Sequence, residues 1–245
     1  MPRTNVTIDT QDGSCAATLH TPAEAGAPAV ILFPDAAGVR ETFAAMADRI
    51  AGLGYCVLLP DIYYRVTYTP FDAATVFGDP DEFARLRTLA AGLDTSMTVR
   101  DTGAFLDFLA TRPEVTGTAV GTTGYCMGGR MALLAAAHYP DRVAAAASFH
   151  GGRLAPDDDP DSPYLLADRM RATILIAAAE NDGTFPPDQY ERLKSALVNA
   201  KVRHTMETYP AAHGFAVPDN PTYDPQTAER HWTALEQLYA TSLHA

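Results

Sequence analysis

The chain has no apolar run approaching the roughly 18–20 residues that cross a bilayer. Its opening segment, MPRTNVTIDT, lacks the apolar stretch of a secretory signal, so neither export nor membrane insertion is expected. Basic clusters are missing too: 18 Lys and Arg stand against 30 Asp and Glu, a formal charge of −12. Such a surface repels phosphate backbones, so no nucleic-acid partner is expected. Cysteine is scarce, with only Cys15, Cys56 and Cys126. An odd number at wide spacing is neither a disulfide framework nor a zinc pattern, and fits a reducing, cytoplasmic setting. No Gly-x-Gly-x-x-Gly occurs. Gly124 and Gly129 have phosphate-loop spacing, but Arg130-Met131 stand where Lys-Ser/Thr is required. Residues 157–161 (DDDPD) lack the Gly and closing Glu of a calcium loop and read as a solvated turn. No metal or cofactor is expected.

What is present is an ordinary globular composition, 47% hydrophobic over 245 residues, read as one domain over 1–245. Alternation at 6–8 and 15–19 around Asp12-Gly13 predicts an opening antiparallel hairpin. Short apolar runs at 29–33 and 55–59 predict further strands, and 118–123, 143–149, 173–178 and 202–209 read as strands too. Helical spacing falls between them at 41–53, 96–110, 130–138, 188–198 and 225–243. This alternation implies an α/β fold: a mostly parallel, doubly wound sheet with an antiparallel N-terminal edge. Residues 62–94 break the pattern and carry Tyr63, Tyr64, Tyr68, Phe71, Phe77 and Phe83. So long a connection reads either as a surface excursion or as a wall over a pocket.

One segment carries chemistry: Gly124-Tyr125-Cys126-Met127-Gly128, after a predicted strand and before a predicted helix. A nucleophile at such a strand-to-helix turn stands exposed above the sheet edge, and the flanking glycines keep the turn open. The helix N-terminus favours a thiolate and a developing oxyanion. Composition alone gives roughly 0.014 chance matches to Gly-x-Cys-x-Gly in this chain. A thiol needs a base, and the base an orienting acid. Asp182 and His213 each follow a predicted strand end, in the order nucleophile, acid, histidine. Glu180 competes with Asp182, and His150 with His213.

With these residues in place, the chain resembles the dienelactone hydrolase family, the carboxymethylenebutenolidases of the α/β-hydrolase fold. The resemblance rests on Gly124-Tyr125-Cys126-Met127-Gly128-Gly129, Pro60-Asp61-Ile62-Tyr63, Asp182 and His213-Gly214-Phe215. It implies Cys126 as nucleophile, His213 as base, Asp182 as orienter, and a small ester or lactone substrate cleaved through a thioester. Asp35 stands where the family keeps an acid, usually Glu, that modulates the resting thiol. The backbone N–H groups of Met127 and Ala36 are the expected oxyanion donors. Tyr63, Tyr64, Arg85, Arg87 and Phe215 are the expected substrate-binding residues. Two departures stand out: Val217 and Phe83 occupy places where the family carries substrate-gripping arginines. That leaves a neutral-ester carboxylesterase or thioesterase as the competing enzyme, and a thiol redox sensor or a non-catalytic binding protein as readings of another class. A monomer or homodimer is expected.

Overall fold

Strand β3 (Ala27–Phe33) shows why the sheet must be covered on both faces. In this computed structural model, which describes residues 1–24 and 26–243, its successive side chains enter two different cores. Ala29, Ile31 and Phe33 join one cluster, while Val30 and Leu32 join the other. A strand buried on both sides needs an apolar run rather than alternation. β4 (Cys56–Pro60), β6 (Val143–Phe149) and β7 (Thr173–Asn181) obey the same rule, whereas β1 (Arg3–Thr10) alternates and stays half exposed. β2 (Gly13–His20), β5 (Val115–Tyr125) and β8 (His204–Ala212) complete one eight-stranded sheet of order β1-β2-β4-β3-β5-β6-β7-β8. β1–β2 and β2–β4 pair antiparallel, and the remaining pairs are parallel. The expected doubly wound α/β sheet with its antiparallel edge is therefore observed.

Helices α1 (Glu41–Gly52) and α6 (Pro225–Ser242) cover one face, with Ile50, Trp232 and Leu235 buried beneath them. Three others cover the opposite face: α3 (Thr95–Ala110), α4 (Met127–His138) and α5 (Pro187–Asn199). The chain passes from β3 outward to β4 and returns to β5 on the other side of β3. The strand order therefore reverses at β3, which opens a crevice at the carboxyl ends of β3 and β5.

The 62–94 segment contains a helix that its aromatic content hid, α2 (Pro80–Ala91). Its start is legible once sought: Asp79 accepts from the Asp81 and Glu82 N–H groups, and Pro80 sits in the first turn. A second unanticipated element is a short 3-10 helix, Pro163–Arg169. α2 buries only Leu86, against Ala37, Phe71 and Val76, so packing alone holds it weakly. The segment's anchor is polar. Arg65 forks onto buried Asp101 at 2.7 and 2.8 Å, and the Tyr64 hydroxyl donates to the same carboxylate at 2.9 Å. Removing one partner of a buried pair strands the other charge, at a cost of about 3 kcal/mol or more. Arg65→Met should lower the melting temperature by roughly 6–12 °C; a change under about 2 °C in a thermal melt would remove this pair as the anchor.

Candidate active site

β5 ends at Tyr125 and α4 begins at Met127, so Cys126 alone makes the turn. It does so at φ 54°, ψ −119°, a strained conformation for a residue with a side chain. The strain is imposed by what surrounds it. The Cys126 N–H donates to the Phe149 carbonyl at 3.1 Å, and its carbonyl accepts from the Gly129 N–H at 3.0 Å. Both motif glycines are sterically obligatory. A Cβ on Gly124 would lie 1.9 Å from the Gly128 carbonyl oxygen, and one on Gly128 would lie 2.3 Å from the Phe33 carbonyl. The thiol is free and partly exposed.

Two later strands bring up the partners. The β7–β8 register sets Asn181 opposite Ala212, which places Asp182 and His213 side by side just beyond the sheet. His213 Nδ1 lies 2.7 Å from Asp182 Oδ2. The other carboxylate oxygen accepts from the Thr184 N–H at 2.8 Å and the Thr184 hydroxyl at 2.6 Å. Asp182 is buried and Glu180 exposed, which decides between them. Burial pushes the Asp182 carboxyl up, but the bonds from His213 and Thr184 outweigh it and hold it below its ordinary value. Burial also opposes the His213 imidazolium. The charge of and hydrogen bond with Cys126, together with Asp182, overcome this and push His213 up to about 10.

His150, the competing histidine, is fully buried, and both its ring nitrogens lack a hydrogen-bond partner. Burial first, then the neighbouring histidines, hold it well below its ordinary value, so it stays neutral. Its ring meets those of His213 and Phe215 edge-on, at 5.1 Å each. Phe215 is itself fully buried and supports the histidine loop from below.

The loop after β3 completes the arrangement. Gly128 presses on the Phe33 and Pro34 carbonyls, so Ala36 and the N-terminus of α4 are neighbours. Met127 opens α4, where an N–H has no intrahelical acceptor. The Tyr63 hydroxyl donates to the Ala36 carbonyl at 2.9 Å and fixes that loop. Asp35 is held by Arg40, Nη1 to Oδ1 at 2.8 Å and Nη2 to Oδ2 at 2.9 Å. Tyr64 serves the Asp101 anchor and also meets Thr10. Arg85 pairs with Glu82, bonds the Thr69 carbonyl and stacks on Phe71 at 3.8 Å. Arg87 is exposed, 6.0 Å from the Phe83 ring. Arg100 bonds Asp12 and Ser96. Val217 is buried in the core. The acidic run is also explained in part: Asp159 pairs with Arg130 at 3.0 Å on the first turns of α4.

Sequence reasoning passed over Thr184, Arg40 and Asp219. Asp182-Gly183-Thr184 is a short side-chain-to-backbone turn that could have been read locally. The Arg40–Asp219 contact, across a separation of 179 residues, leaves no local trace.

A cysteine on a strained strand-to-helix turn, a histidine and a buried carboxylate at neighbouring strand ends, and this strand order together define an α/β-hydrolase. The chain matches the family described as "Dienelactone hydrolase family" over residues 15–243, and it belongs to that family. It is therefore a hydrolase. It is 32% identical over 219 residues to a "Putative carboxymethylenebutenolidase" of Escherichia coli (strain K12), covering 86% of this chain and 76% of that protein. It is 26% identical over 216 residues to the carboxymethylenebutenolidase of Rhodococcus opacus, covering 87% and 80% respectively. A solved structure titled "Putative Dienelactone Hydrolase", from Klebsiella pneumoniae subsp. pneumoniae MGH 78578, superposes with a TM-score of 0.84 at 24% identity, covering 98% of each chain, which supports the fold. Among the described residues, no helix is long and apolar enough to cross a membrane.

Two measurements test this geometry. Gly124→Ala forces α4 away from β5 and should destabilise by about 3 kcal/mol, or roughly 6–12 °C in a thermal melt; an unchanged melting temperature would contradict the close approach. His213 titrates near 10 in the folded chain against an ordinary 6.5. A raised pKa stabilises fully below about pH 6.5, and that contribution disappears as pH rises through about 10. The melting temperature of the wild type should therefore fall relative to His213→Gln between pH 7 and 10. Parallel curves would sink that assignment.

Proposed function

We propose that this hydrolase cleaves an ester or lactone of a small molecule through Cys126, His213 and Asp182, by way of a thioester. The observation that carries the reading is the 2.7 Å Asp182–His213 contact, formed close enough to Cys126 for the charge of Cys126 to act on the imidazole. Asp182 accepts a hydrogen bond from His213 Nδ1–H, which leaves Nε2 facing the sulfur. His213 already holds the proton of the Cys126–His213 pair, and the thiolate attacks the acyl carbon. The carbonyl oxygen becomes an oxyanion that accepts from the Met127 and Ala36 N–H groups; one such donor is typically worth about 3 kcal/mol of barrier. The tetrahedral species collapses, the C–O bond breaks, and His213 returns the proton to the leaving oxygen. Water then loses a proton to His213 and attacks the thioester. The C–S bond breaks, the carboxylic product leaves, and the departing sulfur shares the proton now on His213, which restores the Cys126–His213 pair.

The same geometry weakens the redox reading. Burial pushes the Cys15 and Cys56 thiols up to about 12 and about 11, so neither is poised to resolve an oxidised Cys126. Three unpaired thiols fit the reducing cytoplasm proposed for the chain.

Release of 4-nitrophenolate from 4-nitrophenyl acetate is the direct assay. Cys126→Ala should lose at least about 10³-fold in kcat/KM, and Asp182→Asn on the order of 10²–10⁴-fold. Cys126→Ser should be severely impaired, because a hydroxyl is a far weaker acid than a thiol. Intact-mass analysis of an acid-quenched turnover should find one acetyl group on the wild type and none on Cys126→Ala. Equal rates for wild type and Cys126→Ala would refute the assignment.

A further inference from the structure

Arg40 precedes α1 and reaches two loops that flank Cys126. A guanidinium has five N–H donors, and here each has an acceptor. Nη1 donates to Asp35 Oδ1 at 2.8 Å and to the Gly38 carbonyl at 3.1 Å. Nη2 donates to Asp35 Oδ2 at 2.9 Å and to Asp219 Oδ1 at 2.8 Å. Nε donates to Asp219 Oδ2 at 2.7 Å. The Phe43 ring covers one face of the group at 4.9 Å. Thr42 adds a 2.6 Å bond to Asp219, and the Ala37 N–H a 3.0 Å bond to Asp35, so the acids are fixed as firmly as the base. Arg40 and Asp35 side chains are 13% and 5% exposed, and Asp219 is 30% exposed at the rim.

The cluster sits beside the reacting centre. Asp35 adjoins Ala36, Asp219 lies on the loop leaving His213, and the charges of Asp35 and Cys126 both act on the Tyr63 hydroxyl. Two carboxylates on one saturated guanidinium leave a formal charge of −1 and no free donor. Resting on the catalytic reading above, we propose that Asp35, Arg40 and Asp219 form a specificity element that restricts this site to neutral acyl groups and rejects substrates carrying a second carboxylate. An incoming carboxylate would face like charge without a donor to replace its lost water. Two further arginines stand near the Cys126 turn and both already face carboxylates: Arg130 pairs with Asp159 at 3.0 Å, and Arg153, whose backbone N–H bonds the Thr184 carbonyl, faces Asp158 and Asp159 at 3.7 and 3.9 Å.

The test compares two substrates of equal length that differ by one charge: methyl 4-nitrophenyl adipate and 4-nitrophenyl hydrogen adipate, at pH 7.5. The wild type should favour the neutral diester by about 100-fold in kcat/KM, and added potassium chloride should narrow the gap by screening. Asp219→Asn removes one charge and releases a guanidinium donor, so it should raise the anionic-to-neutral ratio at least about tenfold. A wild-type gap below about tenfold overturns the proposal whether or not the variant folds. So does anionic turnover that Arg153→Gln abolishes, since the carboxylate would then have its cation elsewhere. Cys126→Ala separates the two readings. If it turns over the neutral diester as fast as the wild type, the catalytic assignment fails; if it is inactive and the gap is absent, only the specificity element fails.

Discussion

The site depends on one steric constraint: the approach of α4 to the end of β5 and to the loop after β3. Gly124 touches the Gly128 carbonyl, and Gly128 touches the carbonyls of Phe33 and Pro34, with no room for a Cβ at either place. Holding the helix that close forces the intervening residue to φ 54° and lifts its sulfur clear of the backbone. The same contact brings the Ala36 loop and the first N–H groups of α4 together. The exposure of Cys126 and the approach of the Ala36 loop to the start of α4 therefore follow from a single packing event.

Charge is arranged around that event in two separate groups. Asp182, held by Thr184 and His213, acts on the imidazole and through it on the sulfur. Asp35 and Asp219 are both held by Arg40, which ties the loop after β3 to the loop after His213. His150 lies behind His213 as a neutral ring with no hydrogen-bonded nitrogen, so it packs against the imidazole without competing for its proton.

Most of the sheet was legible because strands buried on both faces leave unmistakable apolar runs, as at 29–33 and 143–149. Cys126, Asp182 and His213 stood out because each follows a strand end, Cys126 within Gly-x-Cys-x-Gly. What escaped lay outside that code. α2 was masked by aromatic residues that pack irregularly, although Asp79-Pro80 marked its start. The Arg40–Asp219 bond joins residues 179 apart in the chain and has no periodic or spacing signature. Arg85 and Arg87 stand on α2, which directs Arg85 to Glu82 and the Thr69 carbonyl and leaves Arg87 at the surface.

β8 is the outermost strand of the sheet, half exposed along its length and paired only with β7. Outer strands detach at lower free energy than central ones. His213 follows this outer strand, whereas Cys126 follows β5 at the centre of the sheet. Local fraying at one border would thus disarm the enzyme while the greater part of the polypeptide stayed folded. Heat inactivation and loss of secondary structure would then run as two events, the first ahead of the second.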